Sequence, residues 1–197
     1  AYAGEVEGVG RTEDQLAFLR DSHEFRNVLV VERPNGSYAD TLMRQYLLDA
    51  WHLLLLDGLT RCDDGRIAAI AEKARKEVTY HLRRSAKLVV RLGDGTAESH
   101  RRMQDALDDL WMYTGELFES DAVDEVLDAQ GVAESVSALR EPWLAQVGRT
   151  LAAATLTMPS LEAWMQKGGK QGRHSEHMGF LLAEMQFLQR AYPGQQW

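Results

Sequence analysis

Cysteine, proline and long apolar runs are scarce in this 197-residue sequence, which has one cysteine and four prolines. The single cysteine, Cys62, cannot form an internal disulfide, and this favours a reducing compartment such as the cytoplasm. No apolar run approaches the ~20 residues of a membrane-spanning helix, so the membrane is not an expected partner. The low proline content leaves long stretches of chain free to form helix.

Positive charge is also in short supply. The sequence has 22 Lys and Arg against 30 Asp and Glu, a formal net charge of −8. An acidic chain repels phosphate backbones, and no basic stripe with interleaved aromatic residues stands out, so we expect no nucleic-acid partner. With 45% hydrophobic residues, the chain belongs to the globular class and is long enough for a substantial core. We therefore predict a single domain over residues 1–197.

The spacing of apolar residues predicts an all-α fold. One long helix is expected from an N-cap at Ser37 through Leu59, and a second from about Arg66 to Leu92. A third carries an apolar stripe from Met103 to Phe118. Alternating spacings of three and four fit the near-antiparallel packing of a helical bundle. Other helices are expected after a capping box at Thr12, over 121–130, around 137–156, where Pro142 requires a late start or a kink, and over about 174–191.

Asp49 stands on the apolar stripe of the first long helix, between Tyr46 and Leu53. A lone carboxylate at such a position is costly unless it has a partner. It is either a metal ligand or buried ion-pair partner in a functional site, or a structural carboxylate paired with Lys or Arg from a neighbouring helix. Position alone favours the structural interpretation, because buried charges need partners in any protein.

His81 falls on the predicted seam of the second long helix, with Glu77 four residues upstream. Carboxylate-bridged di-iron sites in helical bundles use the motif Glu-x-x-His. The residue three positions before His81 is Val78, which cannot bind a metal. The motif is therefore defective, and a core histidine hydrogen-bonded to a carboxylate is favoured over a metal ligand.

His174 and His177 lie three positions apart and could share a metal, but the second ligand pair of known metal signatures is missing. We expect polar contacts at the surface or at an interface. The preceding glycine-rich segment, residues 168–172, is interpreted as a mobile connection and not as an anion site. Cys62 has no histidine nearby in sequence, so the sequence does not indicate a catalytic nucleophile.

Several segments resemble one protein family along nearly the whole chain, and the segment from residue 168 to 197 is the most distinctive. They are NVLVVERPNG at 27–36, YADT at 38–41, RQY at 44–46, DAWH at 49–52, KEVTYHLR at 76–83, and, within the C-terminal segment, His174, Glu176, His177, LAEMQ at 182–186 and PGQQW at 193–197. Together they resemble the structural subunits of phenylacetyl-CoA epoxidase, also called phenylacetate degradation C proteins.

The resemblance implies a ferritin-like helical bundle that is not catalytic by itself. Family members have two more helices N-terminal to this region, so it implies that this chain lacks them. It further implies a hetero-oligomer in which a related catalytic subunit holds the di-iron centre and this subunit holds no cofactor. That complex epoxidises the aromatic ring of phenylacetyl-CoA with oxygen and with electrons from NADPH, delivered by a flavin and iron–sulfur reductase.

The resemblance also has an implication for the positions that bind metal in the catalytic subunit. Beside the catalytic subunit's pattern, Asp49 falls where a carboxylate ligand stands and His81 where a histidine ligand stands. Val78 falls where the glutamate of Glu-x-x-His should be. The implied site is degenerate, and no residue here is catalytic. Asp49 and His81 are vestigial ligand positions that pair with each other, with Glu77, or with a basic group from the missing helices. The alternative is an independent ferritin-like di-iron oxidoreductase.

Overall fold

The computed structural model describes residues 1–195, which form nine α-helices and no strand. The predicted all-α helical bundle is confirmed. No helix within these residues combines the length and apolar character needed to cross a membrane. The helices are α1 (Tyr2–Glu7), α2 (Glu13–Phe18), α3 (Tyr38–Leu59), α4 (Gly65–Gly93), α5 (Ala97–Trp111), α6 (Ala122–Ala129), α7 (Arg140–Ala153), α8 (Glu176–Met185) and α9 (Phe187–Ala191).

The helices fall into two compact units. The bundle unit comprises residues 34–166, with α3 to α7. The terminal unit comprises residues 1–33 and the chain from residue 167 onward, with α1, α2, α8 and α9. The single domain expected from the sequence stays a prediction. Of the tail motif at 193–197, Gln196 and Trp197 lie outside the described residues.

Local capping explains where the two longest helices begin. The Ser37 side chain accepts a hydrogen bond from the Ala39 backbone, and Asp40 accepts one from the Ser37 backbone, at 2.6 Å. Asp64 accepts hydrogen bonds from the backbone N–H groups of Arg66 and Ile67 at the start of α4. These carboxylates and hydroxyls satisfy amides that have no partner within the helix. The predicted extents of α3 and α4 are confirmed to within one residue.

Trp143 of α7 fixes the centre of the bundle unit. Its indole Nε1 donates to the carbonyl of Leu47 in α3, at 3.1 Å. Its ring centroid lies 5.2 Å from that of Phe118, edge to face, and 5.8 Å from that of Trp111. The side chain is fully buried, so one residue supplies both an apolar contact surface and a satisfied polar link between two helices.

The buried face of α4 differs from the predicted seam. From Val78 onward the buried positions are 78, 82, 85 and 89, whereas the predicted seam runs through 78, 81, 85 and 88. Val78 and Ser85 are buried as expected, but the prediction of a buried His81 is wrong, because this shift turns its side chain to solvent. The buried residues of α4 are Ala71, Val78, Leu82, Ser85, Val89 and Gly93.

Three other helix boundaries also depend on contacts that the periodicity does not reveal. The third long helix ends at Trp111, not near Phe118. The Trp111 carbonyl accepts hydrogen bonds from both the amide and the hydroxyl of Thr114, and these bonds close a tight turn. Helix α7 begins late, which places Pro142 in its first turn, where proline is tolerated. The last predicted helix is divided at Gln186, whose side chain donates to the Arg20 carbonyl at 2.9 Å.

Replacing Trp143 with alanine should destabilise the chain by about 3–5 kcal/mol, because it leaves a large cavity and removes the indole hydrogen bond to the Leu47 carbonyl. The matched control is Trp164→Ala, since that indole is 68% exposed and its loss should change the free energy of unfolding by less than about 0.5 kcal/mol. Urea unfolding followed by circular dichroism measures both. Equal losses in the two variants would contradict the central role assigned to Trp143.

Candidate functional site

The Asp49 carboxylate is buried in the bundle unit, with 2% of the residue exposed. The Gln45 side-chain amide donates to Oδ1 at 2.6 Å, and the Ser85 hydroxyl donates to Oδ2 at 2.9 Å. Both donors are uncharged, and no ion pair to Asp49 occurs among residues 1–195. The expected Lys or Arg partner from a neighbouring helix is therefore wrong, since neutral donors from α3 and α4 take that place.

Burial is the main influence on the protonation of Asp49. Removal from water raises the pKa of the Asp49 carboxyl above its usual value, because the charged form loses its hydration. The hydrogen bonds from Gln45 and Ser85 and the nearby His81 and His52 act in the opposite direction without reversing it. The carboxyl group therefore takes up a proton more readily in the folded chain than in the unfolded one.

His81 lies beside this carboxylate but does not bind it. Its ring is exposed and contacts Tyr80 edge to face, with centroids 5.9 Å apart. His81, Gln45 and Ser85 line one open cavity of about 230 Å³. The structure thus brings both predicted site residues to one place, with Ser85 between them, and shows no hydrogen bond joining them. Their interpretation as vestigial ligand positions stays a prediction.

The donor set at this place does not fit a carboxylate-bridged pair of irons. Val78 is buried against Leu56 and Ala71, so an apolar cluster occupies the region where the glutamate of Glu-x-x-His would stand. Across residues 1–195, no three His, Cys, Asp or Glu side chains are grouped so that they could hold a metal ion. Two iron ions need more anionic oxygen ligands than Asp49 alone provides.

A second polar cluster is buried in the terminal unit, around Glu32 and His174. The Glu32 carboxylate lies 2.6 Å from His174 Nδ1, and the two side chains are 1% and 6% exposed. Asn27 also donates to Glu32 Oε1 at 2.8 Å. The amide and hydroxyl of Ser175 donate to Oε2 at 2.8 and 2.7 Å. The prediction of surface contacts is therefore wrong for His174.

Both ring nitrogens of His174 lie beside hydrogen-bond acceptors. Nε2 lies 3.2 Å from the Phe25 carbonyl, which can only accept, and Nδ1 faces the Glu32 carboxylate. Both ring nitrogens donate only in the imidazolium form, so the geometry fits a buried ion pair. Burial raises the pKa of Glu32, but the hydrogen bonds from His174, Ser175 and Asn27 outweigh burial, and the net pKa is lowered.

The glycine-rich segment before His174 packs closely against the backbone of Asn27. A Cβ atom on Gly169 would collide with the carbonyl oxygen of Asn27, so only glycine fits there. Gly168 and Gly172 have φ of 137° and 77°, which L side chains rarely adopt. A short turn spans Gly169–Gln171 in this segment, and its interpretation as a mobile connection stays a prediction.

Sequence reasoning missed Glu32. It is the one acid in the short apolar run of residues 28–32, and the same signal that singled out Asp49 could have found it. Its partner lies 142 positions away, beyond the reach of any local pattern. Of the other predicted candidates, Cys62 is half-buried and its thiol donates to the Asp64 carbonyl at 3.4 Å, and the described residues give His177 no hydrogen bond or ion pair.

Comparison with known proteins gives two findings. Residues 1–197 match the profile of a protein family described as phenylacetic acid catabolic protein. The chain is also 49% identical, over all 197 residues, to the C subunit of the 1,2-phenylacetyl-CoA epoxidase of Escherichia coli (strain K12). The alignment covers 79% of that protein's length.

Asp49→Asn should make the chain more stable at neutral pH. The folded pKa of Asp49 is raised, so in the original chain stability is lost as pH rises through that pKa, and an amide removes this loss. The asparagine carbonyl can still accept from Gln45, and the Ser85 hydroxyl can turn to accept from the asparagine amide. Urea unfolding between acidic and neutral pH measures the effect.

The control for this prediction is Asp49→Ala, which leaves Gln45 and Ser85 without an acceptor and should cost roughly 1–3 kcal/mol in acid, where the Asp49 carboxyl is protonated. This cost should shrink towards neutral pH, because the alanine variant lacks the same carboxyl. A stability gain in the asparagine variant that is no larger at neutral pH than at acidic pH would contradict the raised pKa.

His174→Ala should destabilise the chain by roughly 3 kcal/mol at neutral pH, because it leaves Glu32 charged and buried with fewer donors. The folded pKa of Glu32 is lowered, so its contribution is present above the unfolded value of about 4.3 and lost as pH falls through the folded pKa. The difference between variant and original chain should therefore shrink in acid. His177→Ala is the control, and a loss as large as that of His174→Ala would exclude a special role for the buried pair.

Proposed function

Because this chain belongs to the phenylacetic acid catabolic protein family, we propose that it is the non-catalytic structural subunit of a phenylacetyl-CoA epoxidase. It binds the di-iron catalytic subunit in the cytoplasm, within a hetero-oligomer that epoxidises the aromatic ring of phenylacetyl-CoA. Oxygen and electrons from NADPH drive that reaction, and a separate reductase delivers the electrons. The contribution of this chain is to position and support its catalytic partner.

The identity to an epoxidase subunit supports the place in a complex. A subunit functions with other chains, and 49% identity extends over the whole length of this one. The neutral hydrogen bonds at Asp49 support the non-catalytic role. In a working di-iron site that carboxylate would bind metal, whereas here its two oxygens accept hydrogen bonds from Gln45 and Ser85.

The terminal unit offers a surface that suits a permanent partner. Helix α8 buries only Met178 and Leu182, and Phe180 on its outer side is 69% exposed. Apolar surface of this kind marks interaction sites, and permanent interfaces are the most hydrophobic class. We name these exposed residues the α8–α9 apolar surface: Phe180, Leu181, Met185, Phe187, Leu188 and Tyr192.

Iron analysis of the purified chain tests the non-catalytic role. The chain expressed alone in iron-rich medium should contain far less than one iron per molecule while keeping its helical circular dichroism. Mixed with the catalytic subunit, it should co-elute in size-exclusion chromatography, and the iron should remain with that partner.

The alternative, an independent di-iron oxidoreductase, makes the opposite prediction. About two irons per chain, lost on Asp49→Ala but kept on Asp57→Ala, would assign a working metal centre to this subunit and overturn the proposed role. Asp57 is a suitable control because it lies on the same helix and pairs with Arg75 at the surface.

A further inference from the structure

Helix α4 carries a charge opposite to that of the rest of the chain. Its 29 residues include eight Lys or Arg and two Glu, a net charge of +6. The other residues include 14 Lys or Arg and 28 Asp or Glu, a net charge of −14. A distribution this uneven concentrates positive potential along one element of an acidic protein.

Most of the positive charge lies on a single side of the helix. At 100° per residue, the basic positions other than Arg75 fall opposite the buried ones, and every basic residue of the helix is exposed. Tyr80, in the middle, is 62% exposed. We name these residues the α4 basic face: Lys73, Lys76, Arg83, Arg84, Lys87 and Arg91.

Little within the chain neutralises this face. Lys76 lies 3.6 Å from Glu72, one turn away. Throughout residues 1–195, the side chains of the other five members form no ion pair or hydrogen bond. No acidic residue occurs between Glu77 and Asp94. Four of the six cations follow Glu77, so the C-terminal half of α4 is uniformly positive and available to an external anionic group.

The dimensions and chemistry of the face indicate the kind of partner. From Lys73 to Arg91 the helix rises about 27 Å, far more than the phosphates of one nucleotide span. An extended nucleic acid would meet the charge of −14 on the rest of the chain. A face rich in Lys and Arg, with Tyr80 as its one large apolar group, is unlike a permanent interface, which is mostly apolar. Exposed charges instead raise association rates and specificity in short-lived complexes.

We propose that the α4 basic face is the docking surface for a transiently bound protein whose contact surface is rich in Asp and Glu. This inference rests on the proposed function, in which the component that must bind and leave is the electron-delivering reductase. The catalytic subunit binds permanently and uses apolar surface. The reductase binds through charge, and its affinity therefore depends on salt.

Charge reversal in the assembled complex tests this. The double variant Lys87→Glu/Arg91→Glu is compared with Arg140→Glu/Arg149→Glu, which changes the net charge equally on α7, at residues that are also exposed. Each is assembled with the catalytic subunit, and the dissociation constant for the purified reductase is measured by calorimetry. Salt is raised from about 0.01 to about 0.1 M, which shortens the Debye length from about 30 to about 10 Å.

The α4 variant should bind the reductase at least about tenfold more weakly than the original complex at low salt, and should lose most of its salt dependence. The α7 control should stay within about twofold. Circular dichroism and the thermal midpoint should be unchanged in both variants, because the substitutions are at the surface.

Three results would overturn the proposal. If the α4 variant binds the reductase as tightly as the original complex does, the α4 basic face is not the docking surface, and the proposed structural role is unaffected. Loss of the catalytic subunit from the α4 variant alone makes this face a permanent interface. Binding of a short DNA duplex by the original chain more tightly than the reductase assigns the face to nucleic acid. If the original chain binds neither the catalytic subunit nor the reductase, the proposed function fails as well. Failure of the docking proposal alone is therefore distinguishable from failure of the proposed function.

Discussion

The bundle unit depends on covering a broad face of helix α3, about half of its circumference. Its buried residues face several directions around the helix axis, so one neighbouring helix cannot enclose them. Helices α4, α5 and α7 all pack against it. Because this face is enclosed, any polar group on it must find its partner inside the protein. Asp49 does so with one donor from its own helix and one from α4.

The two buried carboxylates show how donors determine charge. Asp49 receives hydrogen bonds from two neutral groups, and its pKa is raised. Glu32 receives them from the ring of His174, an amide side chain, a hydroxyl and a backbone amide, and its pKa is lowered. Burial acts in the same direction on both, so the number and charge of the donors account for the difference. Glu32 therefore stabilises the folded chain as an anion, whereas Asp49 does so better when protonated.

Local rules predicted the helices well, because caps lie within three residues of the amides they satisfy. Ser37 and Asp64 are examples, and α3 and α4 begin where the sequence indicates. The rotation of α4 was not predictable, because Val78 fits either seam and the choice depends on the helices packed against it. The pairing of Glu32 with His174 requires the tertiary fold itself. Of the candidate site, Asp49 could be identified from its place on an apolar stripe, but its neutral partners could not.

The α8–α9 apolar surface and the α4 basic face differ in the force that each offers a partner. Apolar contact is non-directional and little affected by salt, so it suits a complex that forms once and persists. A charged face attracts a partner over about a Debye length and holds it weakly once ions screen the contact. A subunit that serves a redox reaction in the proposed way needs both properties: it must retain the catalytic chain through many turnovers and release the electron donor after each one. One surface could not do both, because the contacts that slow the departure of one partner would slow the exchange of the other.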